Sequence, residues 1–125
     1  LLEDRYAAAE RAVSAGDLDL ARATWLALVA DAPDHPLAEL ALLDLARLAH
    51  QRDREPEAID HLDLLLVRSR DPEIREPASW LRCGLLDAAE RAACLAIFRD
   101  EFPASPHRSE LDTGQPAGAA AGARP

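Results

Sequence analysis

Five polar residues around one turn, His50, Gln51, Asp53, Glu55 and His61, are the densest set of possible metal ligands in the chain. Imidazoles and carboxylates together suit a divalent transition ion. The two histidines, however, straddle the turn with no HExxH-like spacing to place them on one helix face. A solvated turn is the expected reading. His35 and His107 both follow turn prolines, at one repeat position, and read as residues entering a helix. Ser105 and Ser109 flank His107, which suggests a nucleophile and its base. An esterase-like site needs an acid in a rigid frame and a strand-turn-helix elbow. Neither shows in the sequence, and Ser105 reads better as a helix cap. No glycine-rich phosphate loop is present, because the glycines after Gly84 fall in the carboxy-terminal tail. No catalytic constellation, metal site or cofactor is expected.

Two cysteines, Cys83 and Cys94, lack the CxxC spacing of a redox pair and lack a nearby histidine for zinc. Their apolar neighbours on consecutive helices predict buried free thiols. A bridge is the alternative if the Cα atoms come within ~7 Å. Trp25 is expected in the core, with Leu62. Trp80 lies off the Ala78, Leu81, Leu85 stripe and reads either as a partly exposed contact residue or as packing on a neighbouring helix.

Any such residues must be positioned by helices. The chain has 125 residues, enough for one domain. Apolar residues make up 49%, aromatics only 4%. The apolar share is mostly Ala and Leu, strong helix formers, which argues for an all-α fold. Net charge is -9, and every basic residue is Arg. No basic cluster is present to neutralise phosphates, so nucleic acid binding is not expected. An acidic surface favours a basic partner. No stretch reaches the ~20 apolar residues of a membrane span, so direct membrane insertion is not expected. Leu1-Leu2 has no basic flank of a signal peptide. What precedes Leu1 decides between a bacterial periplasm or envelope and the cytoplasm.

Periodicity and breakers predict six helices. They cover about 2–15, 18–30, 36–50, 55–69, a short or broken helix secure only over 76–85, and 88–101. Inward stripes are Leu2, Tyr6, Ala9 and Val13 in the first, and Ala21, Trp25 and Leu28 in the second. The third is apolar on most faces, as expected of a helix sandwiched between neighbours. Asp17, Asp53, Asp71 and Ser105 are candidate caps. Pro77 is expected to interrupt the fifth helix. Residues 106–111 look like the start of a further helix, and 112–125 read as a disordered Ala/Gly/Pro tail or linker.

The second, fourth and sixth helices carry related phrases. Ala21, Ala58 and Arg91 open them, 37 and 33 residues apart. Trp25, Leu62 and Leu95 follow four residues later. A period of this length marks a helical repeat array. Phe102-Pro103-Ala104-Ser105-Pro106-His107 and, more loosely, Ala32-Pro33-Asp34-His35-Pro36 close two of the phrases. Spacing and junctions resemble tetratricopeptide repeats over about Tyr6 to Glu110. The nearest flavour is the bacterial outer-membrane-assembly lipoprotein and cell-division coordinator type. The chain departs from that pattern at Ala41 and Ala46, where a Tyr and a Gly are expected, and at Arg91, where a small residue is expected.

The resemblance implies an alpha-alpha superhelix of about three hairpins over residues 1–111. It also implies non-enzymatic binding of a peptide or protein on the concave face, lined by the first, third and fifth helices. Tyr6, Glu39, Asp44, Arg47, Trp80 and Arg82 are the expected contact residues. Self-association as a homo-oligomer, within a larger envelope or regulatory protein, is the alternative.

Overall fold

The computed structural model describes residues 1–112. Among them the chain is all helix, with no strand: α1 (Leu2–Ser14), α2 (Leu18–Asp31), α3 (Pro36–Gln51), α4 (Glu55–Arg68), α5 (Pro72–Leu85), α6 (Ala88–Glu101) and α7 (Arg108–Asp112). Helix positions follow the breakers and caps of the sequence closely. The tail expected over 112–125 lies outside the described residues, except for Asp112, which ends α7. None of the described helices is long and apolar enough to cross a membrane.

Packing gathers the chain into two units, Leu1–Ser69 and the residues from Arg70 onward. In the first unit each helix packs on the next, α1 on α2, α2 on α3 and α3 on α4, and α1 also reaches α3. The centre is α3. Its Ala38, Ala41, Leu42, Leu43, Leu45, Ala46, Leu48 and Ala49 are all buried, so it is apolar around most of its circumference and enclosed accordingly. Trp25 and Leu28 of α2 and Leu62 and Leu65 of α4 are buried too. On α1 the buried residues are Ala9 and Ala12, while Val13, expected inward, is 36% exposed. Ala9 lies inward as expected, with Leu2 and Tyr6 half-buried; only the last position differs, where the small Ala12 takes the place expected of Val13 and lets the α1 backbone approach its neighbours closely.

Two helix starts, α3 and α5, and the turn that leads into α7 share one device. His35, Asp71 and Ser105 each precede a proline and each accept, through a side-chain atom, the backbone N–H two residues on. The acceptors are His35 Nδ1 for Leu37, Asp71 Oδ1 for Glu73 and Ser105 Oγ for His107, each at 3.0 Å. Pro36 and Pro72 stand in the first turn, where proline needs no hydrogen-bond partner, and the preceding side chain satisfies the next free donor. This alignment equates His35 with Ser105, not with His107. Asp17 and Asp87 cap α2 and α6 through Leu20 N–H and Glu90 N–H.

Two helix ends share another. Gly16 has φ +80° and Asp53 φ +57°. Beyond each, a backbone N–H folds back onto the last turn: Asp17 to Ala12 O and Arg54 to Ala49 O, both 2.8 Å. Asp53 is thus a left-handed helix terminator, not the expected cap of α4, whose N-cap residue is Arg54 with no side-chain cap. The sequence signal misled because Asp favours both caps and left-handed turns.

The second unit pairs α5 with α6. α5 runs unbroken through Pro77, contrary to the expected interruption. Pro77 removes one donor close to the helix start, and the cap at Asp71 holds the turns before it. Cys83 and Cys94 form a disulfide with a Cα separation of 5.5 Å, so the expected free thiols are bridged. Cys83, Phe98 and Leu111 form the buried cluster of this unit, with Trp80, Cys94, Leu95 and Phe102 packed around it. Leu111 brings α7 into that core.

Asp53→Gly is expected to stabilise the first unit by about 0.5–1 kcal/mol, because glycine meets a positive φ without a Cβ penalty. Gly16→Ala, with open space around the new Cβ, is expected to destabilise by about 1 kcal/mol from backbone strain alone. Urea midpoints of the two variants check both signs. Replacing both cysteines with serine is expected to remove about 2–4 kcal/mol from the second unit, read from thermal melts monitored at Trp80.

Candidate functional site

Three of the six expected contact residues come together in the first unit. Tyr6 of α1 donates its phenolic hydrogen to Asp44 Oδ2 of α3. Arg47 Nη1, one turn further along α3, stands 3.6 Å from Asp44 Oδ1. The Tyr6 ring tilts against Trp25 of α2, with centroids 6.1 Å apart. The helical registers make this meeting: Tyr6 lies three residues before Ala9, and Asp44 is the single acidic position in the apolar run of α3 between Ala41 and Ala46.

Electrostatics follow from half-burial. Desolvation raises the Asp44 carboxyl above the ordinary aspartate range, and the Tyr6 hydrogen bond and the Arg47 charge oppose that rise. Desolvation also pushes the Tyr6 phenol well above its usual value, reinforced by the bond to Asp44. The phenol therefore stays protonated and acts as the donor.

Beside this network lies a cavity of about 280 Å³, lined by Glu10, Val13 and Ser14 of α1, Trp25 of α2 and Asp44 of α3. Trp25 is only 4% exposed, and its indole N–H has no acceptor among the described residues. Glu39 is half-buried in the first turn of α3 and does not line the cavity. Elsewhere in this unit, Arg22 of α2 grips Glu57 of α4 through two contacts, Nε to Oε2 at 3.0 Å and Nη2 to Oε1 at 3.3 Å. That grip is the main reason the Glu57 carboxyl lies below its ordinary range.

Trp80 and Arg82 belong to the second unit. Trp80 stacks on the His107 ring, centroids 4.2 Å apart and planes within 14°, and tilts against Phe98. Its aromatic face is thereby shared with its own unit. Arg82 Nη1 donates to Cys94 Sγ at 3.7 Å. A second cavity, of about 330 Å³, is walled by Pro72, Phe102, Pro103 and Pro106, with Glu76 and Glu101 at its polar edge. Glu101 is held by Arg75, whose Nε lies 2.7 Å from Oε2.

The sequence reading missed an acid for the Ser105–His107 pair; Glu76 supplies one. His107 Nδ1 lies 2.6 Å from Glu76 Oε1, and Ser105 Oγ donates to the same oxygen at 3.1 Å. A nucleophilic relay needs the serine on the free imidazole nitrogen. Here the serine faces the carboxylate instead and accepts the His107 backbone N–H. The trio braces the start of α7. Its one foreshadowing was the helix-cap reading of Ser105; Glu76 is far away in sequence.

The histidines of the first unit do not converge. His50 Nδ1 meets Glu55 Oε1 at 3.1 Å, while His61 Nε2 lies 3.5 Å from Glu57 Oε2. Among the described residues, no three His, Cys, Asp or Glu side chains gather as a metal site. In comparison with known proteins, the chain matches no family model, no curated protein and no solved structure.

Tyr6→Phe is expected to destabilise the first unit by about 1.5–3 kcal/mol at neutral pH, the scale of a hydrogen bond to a charged group. The pH dependence has a defined sign. Asp44 holds its proton more tightly folded than unfolded, so its contribution favours folding below the unfolded aspartate pKa, about 3.9, and is lost as pH rises through its raised folded value. Tyr6→Phe removes a group that lowers that value, so the window widens upward and the deficit shrinks in acid. Urea melts across pH, with the Asp44 carboxyl followed by carbon-detected NMR, test this.

Proposed function

We propose that this chain is a non-enzymatic protein-interaction module, built as a tetratricopeptide-like superhelix of helix hairpins, that binds a peptide or protein on the face of its inner helices. The observation that carries this reading is the contact of α1 with α3 past the intervening α2, tied by the Tyr6–Asp44 hydrogen bond. Inner helices that touch in succession line a continuous face, which is how repeat arrays build binding surfaces. The Arg22–Glu57 grip between α2 and α4 is its outer-layer counterpart. Further support comes from the X-Pro caps at His35, Asp71 and Ser105, which recur at repeat-length intervals.

On this reading Tyr6, Glu39, Asp44 and Arg47 are contact residues, and Trp80 and Arg82 serve the same role in the second unit. No cofactor takes part. The Cys83–Cys94 disulfide favours an oxidising compartment, such as a bacterial periplasm or envelope, over a reducing cytoplasm.

Self-association is the second reading. It is favoured by Leu64 and Val67, three residues apart on one side of α4, with Val67 84% exposed.

Peptide display against the intact chain, followed by amide-shift mapping of the selected binders, tests the module. Binders are expected to perturb α1 and α3 around Tyr6, Asp44 and Arg47, and Arg47→Glu is expected to change which peptides are selected. Binders confined to α2 and α4, or none at all, would overturn it. A dimer in sedimentation that Val67→Glu dissolves would favour self-association.

A further inference from the structure

The two cysteines of the second unit's bridge stand in unequal surroundings. Cys83 is wholly buried, in one cluster with Phe98 and Leu111. Cys94 packs against that cluster but is only half-buried, so of the two it alone keeps surface in solvent. Arg82 Nη1 donates to Cys94 Sγ at 3.7 Å. Arg91 lies one turn before Cys94 on α6 and donates from Nη2 to Leu86 O at 2.9 Å. Glu90 of the same helix shares the Arg82 charge. Partial exposure beside a guanidinium is the setting of a reactive cysteine, whereas burial among apolar groups makes a thiol inert. A bridge that only joined two helices would require neither the asymmetry nor the cation.

The short helix α7 leans on these surroundings. Its five residues are too few to hold as a helix alone. The Ser105–His107–Glu76 contacts brace the turn before it, and Leu111 anchors its end in the cluster of Cys83. The Glu110 and Leu111 N–H groups both return to His107 O, at 3.1 and 3.3 Å.

We propose that the Cys83–Cys94 bridge is a redox latch on α7, opened at Cys94 by a dithiol reductant. The latch holds or fails independently of any partner on the inner helices. In an oxidising compartment the closed bridge is the resting state. One sulfur of the reductant, as thiolate, bonds to Cys94 Sγ, and the bridge breaks with its electron pair on Cys83 Sγ. Cys83 takes the proton that the reductant's second thiol gives up. That second sulfur then bonds to the first, and the electron pair leaves with Cys94 as a thiolate beside Arg82. The reductant ends as a disulfide, oxidised by two electrons, and the chain is reduced by two. With Cys83 released, the cluster loosens where Leu111 enters it, and α7 comes away.

The test reduces the intact chain with dithiothreitol, without denaturant, and follows with a short pulse of iodoacetamide. Mass spectrometry reads each cysteine. Cys94 is expected to be alkylated about tenfold faster than Cys83 or more, the scale on which a neighbouring cation and burial separate two thiols. Arg82→Gln is expected to slow Cys94 and leave Cys83 unchanged, and Arg82→Lys, which keeps the charge, to restore the rate. Amide exchange of the reduced chain is expected to lose protection at Glu110 and Leu111 while α5, α6 and the first unit keep theirs. Reoxidation with the disulfide form of the reductant is expected to return it.

A bridge that yields only once denaturant unfolds the unit, equal alkylation of the two cysteines, or an Arg82→Gln chain whose Cys94 reacts as fast as before would each overturn the proposal. So would α7 amides that stay protected after reduction. Protection lost throughout α5 and α6 as well would make the bridge a staple of the whole unit and sink the latch.

Discussion

Enclosure of α3 is the constraint on which the first unit depends. Half of its sixteen residues are buried alanines and leucines, and they face several directions at once. Such a helix has no stable surface to offer water and must be covered on each side. α2 and α4 cover it as hairpin neighbours, and α1 closes what they leave. The small residues of α1 follow from this. Its backbone must come near α3 for Tyr6 to reach Asp44, and bulk at Ala9 or Ala12 would hold it away. Position 44 is half-buried inside an otherwise apolar run, so its carboxylate needs a donor from another helix. One requirement for burial thus produces the polar tie and the cavity beside it.

Much of this architecture was legible in the sequence because its signals are local. Helix starts announce themselves through proline with a capping side chain before it, as at Asp71-Pro72, while Ser105-Pro106 forms the turn that leads into α7 at Arg108. Trp25 and Leu62 fell at periodic positions and are buried. The errors arose where one residue type serves two ends. Asp53 looks like a cap and acts as a terminator, because aspartate tolerates left-handed backbone. Pro77 looked like a break, but a proline so near a helix start removes a single bond. At the end of α1 the small Ala12, and not the larger Val13, lies inward, because close approach calls for smallness.

Contacts between distant residues were not legible. Cys83 and Cys94 lie on facing helices, yet only their separation in space distinguishes a bridge from two thiols. Glu76 is 29 residues before Ser105, and no local pattern links them. Of the candidate site, Tyr6, Asp44 and Arg47 are legible as polar or aromatic positions of α1 and α3. Their mutual bonding, and the unsatisfied donor on Trp25, depend on the angle at which α1 and α2 meet α3. At the junctions His35, Asp71 and Ser105 present an acceptor at the same place before a proline, so one physical role is filled by three different residue types.

The two tryptophans have a consequence of their own. One stands in each unit, and their surroundings differ sharply. Trp25 is almost wholly buried, with its N–H unpaired among the described residues, an environment that favours bright, blue-shifted emission. Trp80 packs beside the disulfide cluster and lies face to face with an imidazole, both efficient quenchers of an excited indole. The folded chain should therefore glow from its amino-terminal unit and stay dark in its carboxy-terminal one. Unfolding would dim and redden the first emitter while releasing the second, so that a single fluorescence trace carries separate reports from the two units.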